Sequence, residues 1–286
     1  MSRYISEQIQ LNQINMLLEG LEPNFNPSET DQLKELLEHY QKDPQKKLIY
    51  THFTDQLMLL FQISKLTEKM TTNRRLALAS LEKKLKTIFL NPNIPNEEKT
   101  LFMQQTIIDT YYAIRRTGHG SPTFLTRGSK LGNQLEDFIS RNIKHHGMQI
   151  YLPRKATIAT KSFRIYQPNI QDPTVRKVYD FIKKDLNKNI KSKNETLIDT
   201  LLYQITMAYF RNQPATVTQT DIKEILVTHY IRMRRAEFLF SNSFANELEK
   251  FLKTQLNVNV PHKISKSQKI LITSTTFPPS KPTKSS

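Results

Sequence analysis

Cysteine is absent from the 286 residues, which removes disulfides, thiolate nucleophiles and every cysteine-based zinc site from consideration. Glycine is scarce: there are six, and five of them fall between Arg115 and Arg164. No apolar run approaches the roughly 20 residues a spanning helix needs, and the opening MSRYISEQIQ has no apolar signal-peptide core. The expectation is a soluble chain without a transmembrane segment, cytoplasmic at synthesis. The lack of cysteine also fits passage through an oxidising space, so secretion into a host cell without a cleaved signal peptide is a second expectation.

Positive charge is abundant, with a net of +16, but it is unevenly placed. Residues 1–114 are close to neutral. Residues 115–164 carry ten Lys or Arg against Glu136 and Asp137, and the 30 residues from Asn257 onward carry no acid. Localised basicity points to a particular anionic partner rather than general stickiness.

Outside this centre the apolar residues recur at helical spacing. Ile5, Ile9, Ile14, Leu17 and Leu21 predict a first helix. Leu33, Leu36, Leu37 and Tyr40 predict a second, with Ser28 to Asp31 as a capping box. Leu48 to Met70, Leu76 to Phe89, and Leu101 to Ile114 give three more, punctuated by Pro44, Pro92 and Pro95. Past the centre, Asp172 and Pro173 form an N-cap and first-turn pair before Val175, Val178 and Ile182. Leu197 to Phe210, a helix capped at Thr218 or Thr220 with stripe Ile222 to Met233, and Phe244 to Leu256 complete the series. The centre reads as an exposed loop over 117–130, a helix from Leu131 to His146 stopped by Gly147, and strand candidates at 149–152 and 161–166.

The fold expectation is therefore mainly α, with about ten helices in two packed bundles, a small β ribbon near 149–166 and a disordered C-terminal tail. The expected segments are an N-terminal bundle over 1–116, a Gly-rich basic loop, helix and ribbon over 117–170, a C-terminal bundle over 171–256, and a flexible basic tail over 257–286. Within that tail, residues 269–277 could pair as an edge strand.

Several constellations bear on chemistry. Arg115, Gly118 and Gly120 match an R-x-x-G-x-G spacing found where helix N-termini receive phosphates, but a helix precedes this loop where a buried strand is needed. His145 and His146 with Glu136 and Asp137 contain metal-ligand types, yet adjacent histidines on a helix diverge, so a solvated helix end is the expectation and no metal is assigned. His229 on an apolar face reads as a core histidine. His119, Gly120 and Ser121, followed by Tyr151 in GMQIYL, resemble pieces of the ADP-ribosyltransferase pattern. That resemblance implies a two-sheet core and NAD as substrate, with His119 at the ribose, Tyr151 on the nicotinamide and Glu247 positioning the nucleophile.

No motif fixes a reaction. The first expectation is a non-catalytic helical binding module with no cofactor. Its basic centre, through Arg115, Arg116, Arg127, Lys130, Arg154, Lys155 and Arg164, would engage an acidic protein surface, an anionic membrane or nucleic acid. Phe124, Tyr151, Phe163 and Tyr166 interleave aromatic rings with these cations. The alternatives are a bacterial effector secreted into a host cell and an NAD-using enzyme like the ADP-ribosyltransferases.

Overall fold

Proline and polar caps set the helix boundaries in the computed structural model, which describes residues 2–70, 72–117, 122–153, 161–186, 195–211, 215–235 and 242–261. The chain divides into two compact units, Met1–Pro168 and Asn169–Ser286, and the Gly-rich basic stretch belongs to the first.

In the first unit, α1 (Ser2–Leu21) is followed by a short 3₁₀ turn (Glu22–Asn24), α2 (Pro27–Lys42), α3 (Lys46–Glu68), α4 (Thr72–Leu90), α5 (Asn96–Thr117) and α6 (Pro122–Asn142). Helix α3 packs against α1, α4 and α5. Phe53, Leu57, Leu60 and Ile63 are buried on its face, as are Leu81, Leu85 and Phe89 of α4 and Met103 and Ile107 of α5, and the Phe53 and Phe89 rings meet with centroids 5.2 Å apart. The expected stripes hold at their centres and fail at their ends. Ile9 lies five residues before Ile14, a rotation of about 140°, and is exposed; Leu48 stands in the same relation to Phe53 and is exposed too. Leu76, two residues before Leu78, also faces water.

The capping box of α2 sits two residues earlier than the sequence suggested. Asn26 Oδ1 accepts from the Glu29 N–H at 2.9 Å, and Glu29 Oε2 accepts from the Asn26 N–H at 3.0 Å. Pro27 takes the first helical position, where a missing N–H costs nothing.

Lys99 lies wholly inside this unit. Its Nζ donates to the Phe89 carbonyl at 2.9 Å and to Tyr40 Oη at 3.3 Å. Phe89 belongs to the last turn of α4, whose carbonyls have no helical partner, so the lysine closes that helix end. Burial pulls its pKa down to about 7 and pushes the Tyr40 phenol up.

Two expectations about the centre are corrected. Helix α6 begins at Pro122, so residues 122–130 are helical rather than loop; a proline is well suited to a first helical turn. The ribbon is a hairpin of β1 (Lys144–His145) and β2 (Met148–Gln149), with Lys144 opposite Gln149 and His145 opposite Met148. It does not involve 161–166, which run without regular structure. His146 at φ 50° and Gly147 at φ 77° supply the two left-handed residues a tight hairpin turn needs. Hence α6 ends at Asn142, and His145 and His146 occupy a hairpin instead of a helix end.

In the second unit, Asp172 Oδ1 accepts from the Val175 N–H at 2.8 Å and starts α7 (Pro173–Asp180), as the sequence indicated. A π-helical turn (Phe181–Leu186) continues it and lays Phe181 flat on Phe251, centroids 3.8 Å apart. Then come α8 (Glu195–Tyr209), α9 (Ala215–Arg235) and α10 (Asn242–Leu256). Helix α9 starts upstream of both threonines proposed as caps. Inside it, the Thr220 hydroxyl returns to the Thr216 carbonyl at 2.9 Å, a bond open to a mid-helix threonine. The core joins Ile198, Leu201 and Ile205 of α8 to Leu226 and Tyr230 of α9 and Leu248 and Leu252 of α10.

Folded chain continues past α10. Asn257 turns left-handed at φ 53°, Val258 donates back to the Leu252 carbonyl at 2.9 Å and is buried, and Tyr230 Oη lies 2.8 Å from the Pro261 carbonyl. The packed contacts of the second unit therefore reach Pro261, four residues beyond the expected start of the tail at Asn257. Residues 262–286, including the edge-strand candidate at 269–277, lie outside the described residues.

Candidate functional site

Helix α5 organises the basic centre. It opens with Glu97 and Glu98 in its first turn and closes with Arg115 and Arg116 in its last, each favourable to the helix dipole. Tyr111 and Tyr112 precede the arginines by four residues, so each ring lies beneath a guanidinium, at 5.2 Å and 5.1 Å.

Both arginines point into the protein. Arg115 reaches α6, donating to Asn133 Oδ1 at 2.7 Å and Glu136 Oε2 at 2.8 Å. Arg116 is buried and donates to Ser162 Oγ at 3.0 Å. They fasten α6 and residues 161–166 onto α5. Gln105 adds to this, with Nε2 donating to the Phe163 carbonyl at 3.0 Å and Oε1 accepting from the Ile165 N–H at 2.7 Å. Tyr166 stacks on Phe102 with centroids 5.0 Å apart and donates to Glu98 at 2.8 Å. Tyr111 Oη donates to the Pro153 carbonyl at 2.7 Å, and burial raises its pKa and that of Tyr112.

Of the other predicted contacts, Lys130 is exposed and Arg164 is half-buried. Arg127 is in α6 with its side chain outside the description, and Arg154 and Lys155 lie outside the described residues. Three further cations of the centre face solvent: Arg141, Lys144 and Lys161. A detectable signal for the last two is the absence of any Asp or Glu from residues 143–153 and 161–171. Arg141 also borders a cleft of about 430 Å³ between α3 and α6, with Lys65, Lys69, Asp137, Phe61 and Phe138.

The residues of the NAD reading are scattered. His119 lies outside the described residues, Tyr151 is an exposed residue of the first unit, and Glu247 belongs to the second. Glu247 lines a groove of about 510 Å³ with Lys177, Lys184, Lys250, Phe181 and Phe251. Among the described residues the strands are the four residues of the hairpin, which is not the two-sheet core that resemblance implies. His145 and His146 have ring centroids 4.0 Å apart, and no three His, Asp or Glu among the described residues converge on a point where a metal could sit.

No family model, curated protein or solved structure matches this chain.

The second unit holds two further ionisable groups of note. His229 Nε2 lies 2.8 Å from Gln204 Oε1; burial first, and the Arg232 charge second, lower its pKa to about 4. A neutral imidazole held by an amide on a packed face fits the core-histidine expectation. It borders a cleft of about 230 Å³ with Arg211, Asp221 and Glu224, in which Arg211 already pairs with Asp221 at 2.7 Å. Arg234, in the basic run at the end of α9, is buried and donates to Glu249, to Asn246 at 2.7 Å and to Tyr230 Oη at 3.1 Å. Arg232 beside it is exposed.

Proposed function

We propose that this chain is a non-catalytic helical binding protein whose first unit engages a polyanionic partner. The face concerned is carried by α6, the β1–β2 hairpin and residues 161–164. One observation supports this above the rest: charge in the basic centre is sorted by burial. Arg115 takes up Glu136 inside the unit, so Asp137 is the remaining acid of residues 115–164, while Lys130, Arg141, Lys144 and Lys161 stand in solvent. Two of the arginines expected to hold an anion build the platform, and Lys130, Arg141, Lys144 and Lys161 display the charge.

Exposed cations of this kind act over a screening length of about 10 Å at 0.1 M salt, so binding should weaken steeply as salt rises. Titrating heparin, single-stranded RNA and acidic liposomes from low to physiological salt tests the reading. The quadruple variant K130Q/R141Q/K144Q/K161Q should bind at least about tenfold more weakly. Equal binding by that variant to all three probes would move the surface elsewhere, with Arg232 the next exposed cation to replace.

A further inference from the structure

Three large apolar side chains project from the hairpin region of the first unit: Met148 is 68% exposed, Tyr151 86% and Phe163 41%. The backbone that carries them is firmly based. Ile150 and Leu152 alternate with Tyr151 and are buried. Pro153 is held by Tyr111, Ser162 by Arg116, and the Phe163 carbonyl by Gln105. Apolar side chains displayed on a fixed base do nothing for the core beneath, and His145, opposite Met148 across the hairpin and edge-on to Phe163, ties two of the three to one interaction face.

Along the two segments that carry these side chains the charge is of one sign, and the acid beside them, Asp109 of α5, accepts from Gln105 at 2.8 Å. Lys144 and Lys161 are exposed, Arg164 is half-buried, and residues 143–153 and 161–171 contain no carboxylate. The partner must then be both anionic and able to receive apolar side chains.

Resting on the polyanion reading above, we infer that this face docks on an anionic lipid bilayer. Met148, Tyr151 and Phe163 enter the headgroup and acyl boundary, and Lys144 and Lys161 meet lipid phosphates. A tyrosine with an apolar body and polar tip suits that depth. The backbone groups paired across β1 and β2 are satisfied before the tip leaves water, as an apolar environment demands. Single-stranded nucleic acid fits less well. Met148 has no flat face on which a base could stack, and the Phe163 ring is already met edge-on by His145 at 5.8 Å.

The test uses the full chain with vesicles of phosphatidylcholine alone or mixed with phosphatidylglycerol, and with heparin and single-stranded RNA in parallel. Wild type should float with the acidic vesicles and not the neutral ones. M148S/Y151S/F163S should lose at least tenfold in vesicle affinity while its helical signal, melting temperature and heparin binding stay unchanged. The sequence contains no tryptophan, so Met148→Trp gives an unmixed reporter whose emission should shift to the blue on acidic vesicles. Full vesicle binding by the triple variant, or vesicle binding without a blue shift, overturns the inference. If wild type ignores vesicles but binds heparin or RNA, the lipid inference fails and the polyanion reading stands; if it binds none of them, both fail.

Discussion

The Arg115 guanidinium occupies the space a side chain at position 132 would need: a Cβ on Gly132 would stand 2.8 Å from its Cζ and Nε. The glycine is mid-helix, where alanine is ordinarily better by about 0.5–1 kcal/mol. It persists because the arginine must pass close to α6 to reach Asn133 and Glu136, and those bonds together with the Tyr111 ring leave the guanidinium no room to yield.

A sign reversal follows. Gly132→Ala in the wild-type background should destabilise by about 1–3 kcal/mol through overpacking. In an Arg115→Ala background the same change should stabilise by about 0.5–1 kcal/mol. Arg115→Ala itself removes the bonds to Glu136 and Asn133 and the contact with the Tyr111 ring and should cost about 3 kcal/mol. Urea denaturation of the four proteins of this cycle measures all three values, and a Gly132→Ala effect equal in both backgrounds would contradict the contact.

Lys99 makes stability depend on pH in a definite direction. Its folded pKa of about 7 lies below the ordinary lysine value of 10.5, so between those limits the unfolded chain holds more protons than the folded one. Stability from this group therefore rises with pH through that window and is lost as pH falls toward 7. From pH 7 to pH 9, below the range in which tyrosines titrate, wild type should gain roughly 2 kcal/mol relative to Lys99→Met, at about 1.4 kcal/mol per unit for one proton. Parallel urea midpoints for the two proteins at pH 7, 8 and 9 check this, and parallel trends would remove Lys99 as the cause.

Most helices were legible because their information is local. Leu33, Leu36 and Tyr40 lie one turn apart, and Asp172 with Pro173 is a complete start signal within two residues. The site was less legible because burial of a charge depends on a partner far along the chain. Arg115 finds Glu136 twenty-one residues on, and Arg116 finds Ser162 forty-six residues on. A local hint existed in Tyr111 and Tyr112, placed four residues before the arginines with rings able to cover them. Gly128 suggested loop, whereas Gly132, read inside the helix from Leu131, answers to the approach of Arg115. In the hairpin, the His146–Gly147 pair that reads as a helix stop is the turn itself. Exposure of Met148, Tyr151 and Phe163 depends on how residues 143–153 and 161–166 settle on α5, which no periodicity encodes.

The end of the second unit provides a sharp comparison, since the sequence alone ends the folded region at Asn257. Val258 is buried against the bundle and bonded to the Leu252 carbonyl, and the Pro261 carbonyl meets a Tyr230 hydroxyl that also touches Arg234 and Glu249. Ending the chain after Asn257 removes the valine's apolar contacts and one partner of that buried polar group, each worth about 1–2 kcal/mol. A chain ending after Asn257 should melt several degrees below one ending after Pro261, and Val258→Ala in the full chain should reproduce part of the loss. Differential scanning calorimetry of the three proteins decides the matter: equal melting temperatures for the two truncations would mean that residues 258–261 contribute nothing, and the fold would then end where α10 does.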